Sequence, residues 1–290
     1  MSEQHLLIVG CGDIGIRTAR RIKSLAPAIM ITGLRRTPPV GNESSDSSGV
    51  DQWLAADISQ PESLSRLQTL APDLTHVLFT LTPAGRDEAG YRKTYLHGLQ
   101  NVMQAISPDR LERVVYVSSS AVYGEHHGDW VDERTPEAPA AYNGRVLLEA
   151  ERWLHQQGFS STALRLAGIY GPGRTQLLDR IAAGEARAPV HPVHWANRIH
   201  ADDAAAACAC LLLAPRVEHT YLGVDDTPLP LHTLYADLAT MLNGPAPREG
   251  EAPAHVGSKR LNNARLKSLG WKPAHPDARQ GYRALIDLKT

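Results

Sequence analysis

The sequence holds only three cysteines, Cys11, Cys208 and Cys210, among 290 residues. Three thiols cannot make a disulfide framework, so the fold must rest on a hydrophobic core. Cys208 and Cys210 lie two apart in an alanine-rich helical run, where residues at that spacing point in different directions. That suits small core residues and not a metal pair. Long apolar runs are missing too. The longest, Ala204 to Ala214, falls well short of the roughly 20 residues that a spanning helix needs, which argues against a membrane partner. Charge of one sign is also absent: 30 basic against 31 acidic side chains leave a formal net charge of -1. Nucleic-acid binding usually shows a basic excess, so that partner is not expected. The opening Met-Ser-Glu-Gln-His runs straight into a strand pattern, with no sign of a signal or transit peptide. The expected compartment is therefore the cytoplasm.

What is present is an alternation of short β-rich runs with longer helical ones, the pattern of a doubly wound parallel sheet. Strands are expected at His5–Gly10, Ile29–Gly33, up to Ala55, Thr75–Leu81, Arg113–Ser118 and Ser161–Leu166. Helices are expected at Ile14–Leu25, Asp87–Ile106 and Tyr142–Gln157, and the Pro-, Ser- and Gly-rich stretch Thr37–Gly49 reads as a mobile loop. After Gly168 the texture turns to Pro-, Gly- and His-rich loops between short helices, except for Ile199–Leu213, a loop entering a helix. The fold class is thus α/β, a Rossmann-type sheet with a smaller C-terminal substrate lobe. Residues 1–168 with about 199–225 form the expected nucleotide domain, and 169–198 with 226–290 the lobe.

Gly10-Cys11-Gly12-Asp13-Ile14-Gly15 is a G-x-G-x-x-G motif that follows a buried strand and opens an amphipathic helix. In that setting Gly10 permits the tight turn, Gly12 lets the backbone approach a pyrophosphate, and Gly15 permits close helix packing. The unpaired N–H groups of the first turn, at Asp13, Ile14 and Gly15, favour phosphate. An NAD site usually places Asp or Glu after the second strand, on the ribose hydroxyl. Here Arg35 and Arg36 stand there, and two guanidiniums suit a 2′-phosphate. NADP is therefore expected over NAD. Asp57 is placed to accept from the adenine amino group, or to cap a helix before Pro61.

These pieces, with Val117-Ser118-Ser119-Ser120-Ala121-Val122-Tyr123-Gly124, Leu164–Gly173, Ile199–Ala204 and Leu269-Gly270-Trp271-Lys272-Pro273, resemble the extended short-chain dehydrogenase/reductase family, the NAD-dependent epimerase/dehydratase group. The resemblance spans nearly the whole chain in order. It implies hydride transfer at a nicotinamide, on a small polar substrate such as a sugar nucleotide. It also implies a homodimer paired through the helices around Gly90–Ala105 and Tyr142–His155. Aligned from Val-Tyr-Gly, Ser119 matches the family's catalytic hydroxyl; a serine that only caps the next turn would look the same. Tyr142 matches the proton-transferring tyrosine.

The family lysine, however, is replaced by Val146, so this chain is similar to an atypical branch. A phenol has a pKa of about 10, and a shift of two to three units needs about 3–4 kcal/mol. Valine supplies no charge, and Arg145 points about 100° away around a regular helix. Tyr142 can then be an acid/base or a ligand contact, and the chain an NAD(P)-dependent enzyme or a non-catalytic NADP-binding sensor or partner protein. His191, His194 and His200 fit no single helix face and have no acidic residue among them, so no metal is assigned. Arg165 and Arg174 are candidates for a substrate phosphate or carboxylate, or for ion pairs. His127 is a candidate proton donor or an exposed loop residue, and Asp202 or Asp203 a helix N-cap.

Overall fold

The computed structural model describes residues 4–39, 48–83, 85–106, 109–254 and 256–288. Of the expected loop Thr37–Gly49, residues 40–47 lie outside this description.

The first strand, β1 (His5–Val9), is buried along its whole length. Its run of Leu, Leu, Ile and Val is what a strand covered on both faces requires. It sits between β2 (Met30–Arg35) and β4 (His76–Phe79), with β3 (Gln52–Ala55) beyond β2 and β5 (Arg113–Ser119) beyond β4. The pairings β1–β2, β1–β4, β2–β3 and β4–β5 are parallel. Ser161–Leu166 and Thr220–Gly223 complete a seven-stranded sheet on the β5 side. From β1 the chain winds outward one way to β3, then returns to β4 on the other flank. Helix α1 (Asp13–Leu25) buries Ile14, Gly15, Thr18, Ala19 and Ile22, the single stripe that an amphipathic surface helix presents. Gly15 is where α1 meets the sheet: a Cβ built there would lie 2.9 Å from Ile8 Cγ2 and 3.1 Å from Thr80 Oγ1.

The chain divides into two compact units. The first comprises 1–118, 145–164 and 205–220, and the second 119–144, 165–204 and 221–290. Residues 119–144, 165–168, 199–204 and 221–225, grouped by sequence with the nucleotide domain, here count with the second unit. That unit pairs Gly168–Tyr170 with Arg198–His200 and Trp130–Val131 with Arg260–Leu261, both in parallel. Its core gathers Tyr170, Leu178, Leu234, Leu238, Tyr282 and Ile286. Among the described residues, no helix is long and apolar enough to cross a membrane. All three cysteines are free thiols, with Cys11 and Cys208 buried.

Replacing Gly15 by Val forces methyl groups into the α1–sheet contact. We expect a loss of about 1–3 kcal/mol, read as a lower denaturant midpoint with an unchanged slope.

Candidate functional site

Where the winding direction of a doubly wound sheet reverses, the loops beyond the strand ends part and leave a crevice. That point here is the β1–β4 pair. The segments following β1 (Gly10, Gly12), β2 (Arg36, Thr37), β3 (Ala56–Ser59) and β4 (Thr80–Thr82) line one cavity of about 340 Å³, within the first unit. Gly10 adopts φ +74°, and its N–H donates to the Leu34 carbonyl at 2.9 Å. Thr80 Oγ1 donates to the Gly10 carbonyl at 3.0 Å. The glycine turn is thus clamped from both neighbouring strands. At Gly12 a Cβ would meet nothing nearer than the Gly10 carbonyl at 3.8 Å, so the missing side chain leaves open cavity there. Gly12 is the N-cap of α1 and offers no side-chain acceptor. The first intrahelical bond runs from Ile16 N–H to the Gly12 carbonyl, so the first turn of α1 has the N–H groups that a helix N-terminus can offer to an anion. Asp13 turns its carboxylate back to Arg17 Nε at 2.7 Å. Ile14 is buried and Gly15 serves packing. Of the glycine motif, Gly10 and Gly12 are the residues on the cavity wall. They form the kind of cradle that a dinucleotide needs.

Asp57 lies on the same wall and accepts from Ser59 N–H at 3.0 Å and Ser59 Oγ at 2.7 Å. Burial raises its pKa, but the Ser59 hydrogen bonds and the charges of Arg36 and Lys93 outweigh that and hold it below the usual value. The helical turn at Pro61 is capped by Gln60 and not by Asp57. Arg35 and Arg36 both line the cavity. The sequence reading missed Lys93 and Thr94, which also line it. They sit on a π-helical turn, Arg92–His97, between helical segments Glu88–Tyr91 and Gly98–Ala105. A π turn inserts a residue into the helical period, so no face drawn on a regular helix could place them. Tyr95 ties this turn to the end of β4, donating to the Leu81 carbonyl at 3.3 Å.

Ser119 and Tyr142 belong to the second unit. Ser119 ends β5 and caps the short 3-10 turn Ser120–Tyr123, its Oγ accepting from Ala121 N–H at 3.2 Å. The capping role weighed from sequence is therefore present, and an acceptor bond of this kind leaves the hydroxyl proton available. Tyr142 opens the helix Tyr142–His155 and is partly exposed. A Cβ on Gly144 would lie 2.5 Å from the Ala121 carbonyl, so the first turn of the tyrosine helix presses on the serine turn. Val146 is fully buried and Arg145 exposed. Lys259, missed from sequence, is buried and donates from Nζ to the carbonyls of Gly124 and Gly257, each at 3.0 Å. Burial pulls it down to about 8.

Arg165 is buried against Glu137 at 2.7 Å and over the Tyr123 ring, a structural ion pair. His200 accepts from Asp202 N–H at Nδ1 and stacks on His275. Asp203 accepts from the N–H groups of Ala274 and His275 and so fastens the C-terminal segment. The His127 side chain is 91% exposed.

The model of the NAD dependent epimerase/dehydratase family matches residues 6–222. Protein YeeZ of Escherichia coli (strain K12) is 32% identical over 278 residues, 94% of this chain and 97% of its own length. A solved structure from Methylobacillus flagellatus, provisionally named an NAD-dependent epimerase/dehydratase, is 35% identical, covers 99% of each chain and superposes with TM-score 0.80. The UDP-glucose 4-epimerase of Thermus thermophilus, in complex with NAD, shares the fold at 21% identity, 98% coverage of each chain and TM-score 0.80. The expectation of NADP over NAD is corrected by this last comparison, in which the cofactor is NAD. The physical reason lies in the cavity: the charge of Arg36 falls on Asp57. The arginines therefore share the cavity wall with a carboxylate, and their presence after β2 does not by itself select a 2′-phosphate.

Lys93→Met removes an exposed charge from the cavity rim. We expect NAD to bind about 2- to 5-fold more weakly, the scale of a solvent-exposed charge contact. By calorimetry the difference should shrink at high salt.

Proposed function

The chain belongs to the NAD dependent epimerase/dehydratase family, and from that premise we propose which residues hold the cofactor and handle the substrate. Membership makes it an NAD(P)-dependent enzyme of the oxidoreductase and epimerase/dehydratase kind acting on a small polar substrate. That sets aside the reading of a non-catalytic sensor. In our reading NAD lies along the cavity of the first unit. Gly10, Gly12 and the N-terminus of α1 receive its pyrophosphate, with Asp57, Arg35, Arg36 and Lys93 around the adenosine end. When bound, the nicotinamide supplies the hydride acceptor or donor.

Ser119 and Tyr142 are assigned to the substrate oxygen. The observation that carries this is the seating of the tyrosine helix on the serine turn at Gly144 and Ala121. It fixes both hydroxyl-bearing segments in one unit before any substrate arrives. Ser119 Oγ takes the Ala121 N–H into one lone pair and directs its own proton outward, where it can donate to an oxygen as charge develops. Valine in the lysine position leaves Tyr142 without the cation one helical turn along. The phenol then orients and shares a proton with the substrate oxygen, and Ser119 carries the larger part of the stabilisation. A sugar nucleotide is the substrate class that the matched 4-epimerase suggests.

The test is a panel of UDP-sugars with NAD, followed by nicotinamide absorbance and product analysis. Ser119→Ala should lower kcat by about 10²–10³-fold, as loss of one oxyanion donor does, with NAD affinity unchanged. Tyr142→Phe should lower it less. Equal turnover in wild type and Ser119→Ala would remove Ser119 from the reaction.

We also propose a homodimer joined through the helical segment 88–105 and the helix Tyr142–His155. These two carry the exposed bidentate pair Arg92–Glu149, at 3.2 and 2.8 Å. Light scattering at micromolar concentration should give twice the 31.6 kDa chain mass; a monomer mass would overturn the dimer.

A further inference from the structure

The second unit contains a pocket of about 250 Å³ that shares no residue with the cofactor cavity. Trp130, Asp225, Asp226, Asn262, Asn263 and Lys267 are on its wall. Trp130 is 55% exposed, unusual for the largest side chain, yet it is not loose. The Arg260 guanidinium lies over its ring at 5.1 Å and over the Trp195 ring at 4.8 Å, while Arg260 Nε donates to the Gly128 carbonyl at 2.7 Å. Arg260 is not on the pocket wall. One face of the indole is therefore braced by a cation that is itself held twice, and the ring forms a fixed apolar platform beside the pocket.

Around the platform the polar groups are mixed and their charges cancel. Asp226 Oδ1 pairs with Lys267 Nζ at 2.6 Å and accepts from Asn263 Nδ2 at 2.8 Å. Asn262 Oδ1 accepts from Ala264 N–H at 2.8 Å, and its amide N–H groups are donors. Asp225 is 2% exposed; its Oδ1 accepts from Thr227 N–H at 3.3 Å, and the backbone N–H of Ala278 also acts on its carboxyl. Burial pushes this carboxyl up to about 8, which makes it a neutral acid at neutral pH. The lining then holds donors, acceptors and one aromatic face, with no excess charge of either sign.

We propose that this pocket is a second ligand site, which takes a single neutral polyhydroxylated ring, a pyranose, with its C–H face on Trp130 and its hydroxyls on Asp226, Asn262 and Lys267. The fit follows from chemistry. A sugar ring pairs an apolar face with a rim of groups that both donate and accept, and this pocket presents the complement of each. Its size, below the range of drug-sized sites, suits one ring and not a nucleotide sugar. An anion would lack a free cation here, since Lys267 is engaged with Asp226. A cation would lack a free carboxylate for the same reason.

The experiment uses the full chain with methyl β-D-glucopyranoside, followed by saturation-transfer-difference NMR over a millimolar titration. We expect transfer to the ring C–H protons that saturates, persists at saturating NAD, and falls at least 10-fold in Trp130→Ala and in Lys267→Met. Thermal melts of both variants should match wild type; if one is unfolded, the other, on a separate part of the wall, carries the test. Displacement of the sugar by NAD would place it in the cofactor cavity and overturn the proposal. So would signals unchanged in both variants, the absence of saturation, or tighter binding of inorganic phosphate or ethylammonium at the same residues. None of these outcomes depends on turnover, so failure here leaves the roles of Ser119 and Tyr142 standing, and failure there leaves this site standing.

Discussion

The turn between β1 and α1 has to satisfy two demands at once, and the first unit is arranged around meeting them. Its backbone must bend sharply enough to send the chain from the sheet into the helix, and it must leave the first N–H groups of that helix bare. Gly10 meets the first demand with a positive φ and donates to Leu34 on β2, while Thr80 at the end of β4 holds its carbonyl. Gly12 meets the second by capping α1 with no side chain. Because β2 and β4 are the two neighbours of β1, the turn is fixed by the sheet itself. The cavity formed by the strand ends takes its shape from that clamp.

The second unit solves its local problems with buried polar groups held by backbone. Lys259 spans two carbonyls, Asp203 gathers two N–H groups of the C-terminal segment, and Arg165 is closed over by Glu137 and Tyr123. A chain with short strands and many loops has few ladder hydrogen bonds to offer. Side chains reaching into loop backbone fill that role. Lys259, a buried cation of this unit beside Arg165, serves the loop at Gly124.

Much of the scaffold is legible in the chain. Strand Ser161–Leu166 has the bounds its pattern predicts, and α1 and the tyrosine helix end within a residue or two of theirs. Continuous apolar runs and a 3.6-residue stripe are local properties, so they survive without knowledge of partners. The cavity of the first unit is legible through Gly10, Gly12 and Asp57, which line it, because a G-x-G-x-x-G turn is local as well. Lys93 and Thr94 are not, since a π turn breaks the regular period on which a face is drawn. The preference for NADP fails because it treats the arginines as isolated charges. The charge of Arg36 also acts on Asp57, some twenty residues further along, and that proximity exists only once β2 and β3 lie side by side.

By itself, then, the sequence determined the α/β class, the glycine turn and the family, each read from short motifs that are local even where they are spread along the chain. Tertiary structure decided what depends on distant groups meeting: which charges face one another around the cavity, how Gly144 lets the tyrosine helix rest on the serine turn, and how Arg260 braces Trp130. Periodicity and motif spacing are one-dimensional signals, whereas the electrostatics of a site are set by through-space distances that only the folded chain defines.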